Sequence, residues 1–125
     1  GATHEQARVE LRAGRKTGHW MWFVFPQIAG LGHSPTSRRY AIASLQEARA
    51  YLADPELGPR LTACAQALAD HAGISAEQIL GGVDALKLRS SMTLFARADP
   101  QNPVFDRVLE IHFGGVPDEA TDRLL

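Results

Sequence analysis

The sequence predicts an all-α protein, and three kinds of helix signal support this prediction. Three segments fit the capping box, in which a Ser or Thr and a residue three positions later bind each other's free backbone N–H groups. These segments begin at Thr3, Ser44 and Ser75. Proline directly follows a cap residue at Ser34, Asp54 and Asn102, as is typical of helix starts. Glycines that would end helices stand at Gly14, Gly73, Gly81 and Gly114.

In chain order, these signals predict helices near residues 4–13, 35–43, 45–53, 56–71, 76–80, 85–98, 103–113 and 119–125. Residues 19–27 are ambiguous, because Trp, Phe and Val favour strands. We predict a short helix there, capped by Thr17 or Gly18 and ending before Pro26 or kinked at it, since a lone strand has no partner for its backbone groups. Residues 30–37 are expected to form a turn-rich loop.

Composition predicts one soluble domain. A chain of 125 residues is near the commonest domain size, so residues 1–125 are expected to form a single helical domain. The 13 basic and 14 acidic residues give a net charge of −1, which argues against nucleic acid as a partner. Without a membrane-spanning apolar run or a signal peptide, the protein is expected to be cytoplasmic and to bind no membrane. The single cysteine, Cys64, is expected in the core.

The densest feature is residues 19–27, His-Trp-Met-Trp-Phe-Val-Phe-Pro-Gln, which hold both tryptophans and two of the five phenylalanines. Such aromatic side chains are expected mainly in the core. The segment begins with the titratable His19 and ends with Gln27, whose amide needs hydrogen-bond partners if it is buried. We therefore expect both polar ends to face a site, with Trp20 the aromatic side chain shared with that site.

A second dense segment, residues 84–95, places basic and hydroxyl side chains on one helix. At i,i+4 spacing, Lys87 lies over Ser91 and Arg89 lies over Thr93. The hydroxyl residues are Ser90, Ser91 and Thr93, all poor helix formers. One explanation is a site that grips an anionic or carbonyl-bearing ligand. The other, which the isolated pattern favours, is that the hydroxyls bond to carbonyls one turn earlier and the cations are solvated.

No catalytic signature stands in the sequence, so no catalytic residue is assigned. The other histidines do not pair with Cys, Asp or Glu at one-turn spacing, and neither a metal nor another cofactor is expected. Carboxylates such as Glu47 stand at helix starts, where they favour the cap and the helix dipole. The chain has no G-x-S-x-G motif, and residues 30–34 lack the lysine of a phosphate-binding loop.

The two dense segments resemble the bacterial family known as domain of unknown function 1810. The likeness includes Leu11-Arg12-Ala13-Gly14-Arg15-Lys16 and Phe113-Gly114-Gly115, and covers the chain from about residue 7 onward. It implies a compact all-helical domain, a multi-helix orthogonal array with packing similar to armadillo-type folds. It implies no established activity. Some members are labelled calpastatin-like, but nothing in this sequence resembles a disordered protease inhibitor.

The sequence departs from the family pattern in two places. Family members usually carry a further N-terminal helical stretch, so the first helix of the family is expected to be shortened or absent here. Gly18 stands where the family commonly has Ser. A missing helix would leave apolar surface open for a second chain to cover, and we expect a monomer or a weak homo-oligomer.

If residues 19–27 pack face to face with residues 84–95, their polar side chains form one groove. The predicted ligand-binding residues are His19, Trp20, Gln27, Arg39, Tyr40, Lys87, Arg89, Ser90, Ser91 and Thr93, with Arg38 also at the rim. Our first hypothesis is a ligand-binding or interaction domain for a small anionic or nucleotide-like ligand, or a peptide. The alternative is a hydrolase or transferase acting on a nucleotide-derived substrate, with His19, Asp84 or Glu47 as base. A third interpretation is that both segments are core and the protein serves only as part of an assembly.

Overall fold

The computed structural model describes residues 2–125, and the prediction of an all-α fold is confirmed for this part of the chain. The helices are α1 (Ala2–Ala13), α2 (Met21–Val24), α3 (Pro35–Tyr40), α4 (Leu45–Ala53), α5 (Leu57–Ala69), α6 (Ala76–Leu80), α7 (Gly82–Ala98), α8 (Pro103–Phe113) and α9 (Glu119–Leu124). The only β pairing among the described residues is a single parallel bridge between Ile28 and Ile42. Every predicted helix is present, including the short one in the aromatic segment.

Side chains begin most of these helices, as the sequence predicts. Caps are present at Ser34, Ser44, Ser75, Asn102 and Asp118. Ser75 and Gln78 form a complete capping box. The capping box predicted at Thr3 is wrong, because α1 already begins at Ala2 and Thr3 lies inside the helix. The caps predicted for α2 are also wrong: Trp20 precedes it and provides no side-chain cap.

Helices α5 and α7 form the centre of the fold. Helix α7 packs against α4, α6, α8 and α9, while α5 packs against α1, α2, α4 and α8. Helix α7 is buried around most of its circumference from Leu88 to Ala96, as expected for a helix with neighbours on several sides. Phe95 contacts Tyr51 of α4 and Phe105 of α8, with ring centroids 5.5 and 5.8 Å apart. The aromatic contacts join three helices in one core.

The core also contains Cys64 of α5, as predicted. The residue is fully buried, and burial raises the pKa of its thiol to about 11, which leaves it protonated at neutral pH. In residues 2–125, no helix combines the length and the apolar composition needed to cross a membrane.

Candidate functional site

A buried carboxylate, Glu10 of α1, positions the start of the aromatic segment. Its Oε1 accepts hydrogen bonds from the backbone N–H groups of Thr17 and Gly18, at 2.7 and 2.9 Å, and from the Trp20 indole at 2.9 Å. Its Oε2 accepts one from the Gln6 amide at 2.8 Å. Burial by itself would raise the pKa of Glu10, but these hydrogen bonds outweigh it and lower the pKa to about 2. Trp20 is thereby held in the core, only 1% exposed.

Two lysines share one carboxylate near the start of α7. The Nζ of Lys16 lies 2.9 Å from Oδ2 of Asp84, and the Nζ of Lys87 lies 3.3 Å from Oδ1. The Nζ of Lys87 also lies 4.1 Å from the centroid of the Trp22 ring, a cation–π contact. These side chains line a cleft of about 120 Å³, which we call the cationic cleft. Its lining residues are Lys16, His19, Met21, Trp22, Asp84 and Lys87.

The cationic cleft brings together two of the predicted site residues, His19 and Lys87. His19 is exposed and makes no hydrogen bond to any described residue, so its imidazole is accessible to a ligand. The interacting lysine and aspartate side chains are largely shielded from water. Because two ammonium groups face one carboxylate, these three side chains carry one net positive charge.

Trp22 lines a second, mainly apolar cleft of about 280 Å³, which we call the aromatic cleft. Its lining residues are His4, Trp22, Phe23, Pro26, Tyr40, Tyr51 and Leu57. Tyr40 packs edge-to-face against Phe23 with centroids 4.6 Å apart, and the Arg39 guanidinium lies 5.4 Å from the Tyr40 ring. Burial lowers the pKa of His4, aided by the positive charge of Arg60. The predicted pair of Arg39 and Tyr40 therefore belongs beside this cleft.

Gln27 lies in neither cleft. It lines a separate cavity of about 180 Å³, which we call the Gln27 cavity, between the loop that follows α2 and helix α3. The other lining residues are Ile28, Ala29, Gly30, Gly32, Ser37, Arg38 and Ala41. Arg38, which was expected at the rim of a groove, is an exposed part of this lining.

Three predicted site residues of α7 hold the C-terminal segment instead of facing the aromatic one. Arg89 donates hydrogen bonds to the backbone oxygens of residues 116–117 at 2.9 and 3.1 Å. The Ser90 hydroxyl donates to Oδ2 of Asp118 at 3.1 Å, and the backbone N–H of Asp118 donates to Oγ1 of Thr93 at 2.8 Å. These contacts dock the start of α9 onto α7.

The hydroxyls also bond back along their own helix, as the structural explanation of the pattern predicts. The single hydroxyl proton of Ser90 is shared between Asp118 and the backbone oxygen of Leu86, which lies 3.2 Å away, and Thr93 donates to the backbone oxygen of Arg89 at 2.8 Å. The Ser91 hydroxyl is buried and has no partner in the described chain. The prediction of a single groove is therefore wrong in its geometry, because these side chains face the C-terminal segment or the core.

Sequence reasoning missed the role of Lys16 in the cleft and assigned Asp84 only to a helix start or a possible base. The available signal was the basic pair Arg15-Lys16, directly after the glycine that ends α1. Nothing local indicates its partner, since the ion pair joins segments far apart in the sequence. No group of His, Cys, Asp and Glu side chains in residues 2–125 is arranged to hold a metal ion.

Comparison with known proteins agrees with the fold. A family model described as "Protein of unknown function (DUF1810)" matches residues 1–125. The structure is similar to the crystal structure of the conserved hypothetical protein Rv1873 from Mycobacterium tuberculosis, with a TM-score of 0.97 and 52% sequence identity over 100% of this chain and 89% of that chain. No curated protein matches the chain. Because the family model spans the whole sequence, this chain belongs to the DUF1810 family of proteins of unknown function.

Proposed function

We propose that the chain is a binding domain for a small anionic ligand, which is held in the cationic cleft. The observation that carries the proposal is the sharing of Asp84 by two ammonium groups, which leaves one positive charge without a partner. Lys16 and Lys87 are only 11% and 23% exposed. At such partly buried positions, opposite charges attract each other several times more strongly than in bulk water. An anion entering the cleft would therefore be favoured.

The restraint on Lys87 supports this role. Its ammonium group has three donors, of which the Asp84 carboxylate engages one, and the Trp22 ring holds the side chain in place. The remaining donors are available to a ligand, and the imidazole of His19 at the cleft edge adds a further ring nitrogen. A cleft of about 120 Å³ suits a group the size of phosphate or carboxylate, with the rest of a larger ligand lying outside.

The enzymatic alternative depends on His19. Of the bases considered from the sequence, Asp84 is engaged by two ammonium groups, and Glu47 accepts a hydrogen bond from the backbone N–H of Ala43. His19 lines the cleft and has neither restraint. A hydrolase would turn over a bound phosphoester, and the variant His19→Gln would lose this turnover to a much greater extent than it loses binding. A wild-type protein that binds phosphate but turns over no phosphoester is a binding domain.

The decisive experiment compares two charge-matched variants. Inorganic phosphate and pyrophosphate are titrated into the wild type, Lys87→Gln and Arg107→Gln by calorimetry. Arg107 is an exposed side chain of α8 outside the cleft, so its variant controls for net charge. Loss of one charge-assisted hydrogen bond should weaken binding by Lys87→Gln about tenfold, while Arg107→Gln binds as the wild type does. Equal weakening in both variants, or no binding of either anion, contradicts the proposal.

A further inference from the structure

Gln27 is a largely buried residue whose side-chain amide has no protein partner. The backbone oxygen of this residue accepts a hydrogen bond from the Ile42 N–H at 2.8 Å. The side-chain amide makes none with any described residue, although Gln27 is only 9% exposed. Its nitrogen and oxygen are not fully enclosed by protein, so both are open to a partner from solution.

Gln27 is one of the residues that line the Gln27 cavity, which has room for a small molecule. Its volume is about 180 Å³. For comparison, an engineered cavity of roughly 150 Å³ in a protein core binds benzene. The Gln27 cavity is therefore large enough for a single-ring compound.

Short backbone contacts hold the walls of this cavity in place. Ile28 and Ile42 form the parallel bridge, and the N–H of Ala29 donates to the oxygen of Ile42 at 2.8 Å. Elsewhere in the lining, Gly32 lies so close to Ser37 that a Cβ on residue 32 would come within 2.6 Å of the Ser37 Cβ. The cavity is thus preformed, as is usual for small-molecule sites.

We propose that the Gln27 cavity binds a small planar ligand carrying an amide, either a primary carboxamide or a ring lactam. The Gln27 amide offers a donor and an acceptor in one plane, and an amide on the ligand is its full complement. A carboxylate only accepts hydrogen bonds and would leave the Oε1 of Gln27 unpaired. The other polar side chains are compatible, since Arg38 can donate to the ligand and the Ser37 oxygen can accept from it.

The site has no lining residue in common with the cationic cleft, so this proposal is independent of the proposed function.

Three probes with the same ring test the ligand chemistry: benzamide, benzoate and toluene, each titrated into the ¹⁵N-labelled full chain and followed by NMR. Benzamide should shift the side-chain amide signals of Gln27 and the backbone signals of Gly30 and Gly32. It should bind about tenfold more tightly than benzoate or toluene, since they cannot complete both hydrogen bonds. Gln27→Met should weaken benzamide binding about tenfold, while the control Gln66→Met, on the exposed face of α5, leaves it unchanged.

Three outcomes overturn the proposal: equal binding of benzamide and toluene, benzamide binding that survives Gln27→Met, and no binding of benzamide. Circular dichroism checks that each variant is folded. If Gln27→Met does not fold, Gln27→Glu replaces it, because it keeps the side-chain length and removes the donor. Lys87→Gln should bind benzamide as the wild type does, so failure at the cationic cleft and failure at this site are distinguishable.

Discussion

Among single residues, Glu10 connects α1 to the aromatic segment most directly. A carboxylate accepts several hydrogen bonds at once, and here one oxygen receives three donors that the turn between α1 and α2 would otherwise leave unpaired. Trp20 is one of the donors, so the position of the indole in the core depends on the charge of a side chain ten residues earlier. The position of the aromatic segment, and with it the wall of the candidate site, therefore depends on a buried ionised side chain.

The charge of Glu10 makes stability depend on pH in a defined direction. Its pKa in the folded protein is about 2, below the ordinary value of 4.5, so the stabilisation is fully present above pH 4.5 and is lost as the pH falls toward 2. The variant Glu10→Gln should melt below the wild type at pH 7, and the difference should shrink as the pH falls below 4.5. Thermal melting between pH 7 and pH 3 measures it, with the exposed Glu5→Gln as control. A difference that stays constant over this range contradicts the assignment.

Neighbouring serines of α7 should respond oppositely to replacement by alanine. Ser91 buries a hydroxyl that has no partner in the described chain, so Ser91→Ala removes an unsatisfied group and improves helix propensity. We expect it to be more stable by about 1 kcal/mol. Ser90→Ala loses the bond to Asp118 and should be less stable by about 1 kcal/mol. Urea denaturation of both variants measures the difference, and the same sign for both would contradict these roles.

At the scale of elements, α9 is held mainly by polar contacts with α7. Arg97 donates two hydrogen bonds to the carboxylate of Asp122, at 2.9 and 3.0 Å, and the first turn of α9 is tied to Ser90 and Thr93 through Asp118. Water replaces most of the energy of such contacts when the helix leaves, so each contributes only about 1 kcal/mol. Helix α9 should therefore open more easily than the helices packed around α5.

The variant Thr93→Val tests this weakness. Valine keeps the shape of threonine but removes the oxygen that accepts from the N–H of Asp118. We expect faster amide hydrogen exchange in residues 116–125 and unchanged exchange in α5, followed by mass spectrometry of peptides. Thr62→Val, at a half-buried position on α5, is the matched control. Faster exchange over the whole chain would show instead that Thr93 stabilises the entire fold.

The elements themselves could be predicted from sequence because their signals are local. Ser75 and Gln78 satisfy each other's backbone groups within four residues, so their pattern predicts a helix start wherever the helix later packs. The role of the hydroxyls in α7 could not be predicted in this way. Their pattern is equally compatible with a ligand and with α9, and only the tertiary position of Asp118 decides between the two. Likewise, the backbone N–H groups of Thr17 and Gly18 donate to Glu10 of α1, whereas the local pattern predicts one of these residues as the cap of α2.

For the whole molecule, the cationic cleft depends on contacts between distant parts of the chain. The backbone N–H of Lys16 donates to the oxygen of Ile79 in α6 at 2.7 Å, which brings the lysine to the start of α7 and to Asp84. The aromatic segment thus carries His19 and Trp22 to a cleft completed by α7. The residues of the cleft can be identified in the sequence, but whether they lie close together depends on how α1, α6 and α7 pack.

Because these contacts join distant parts of the chain, we predict that the chain unfolds as one unit. Both tryptophans lie in the aromatic segment, so their fluorescence reports on the surroundings of α2, whereas far-ultraviolet circular dichroism reports on all the helices. Trp20 is buried in the shared core, and Lys87 ties Trp22 to α7, so the segment has no core of its own to unfold separately. Urea transitions followed by the two signals should coincide, as in two-state unfolding. A fluorescence transition at lower urea would show that the aromatic segment detaches first, and with it the wall of the cationic cleft.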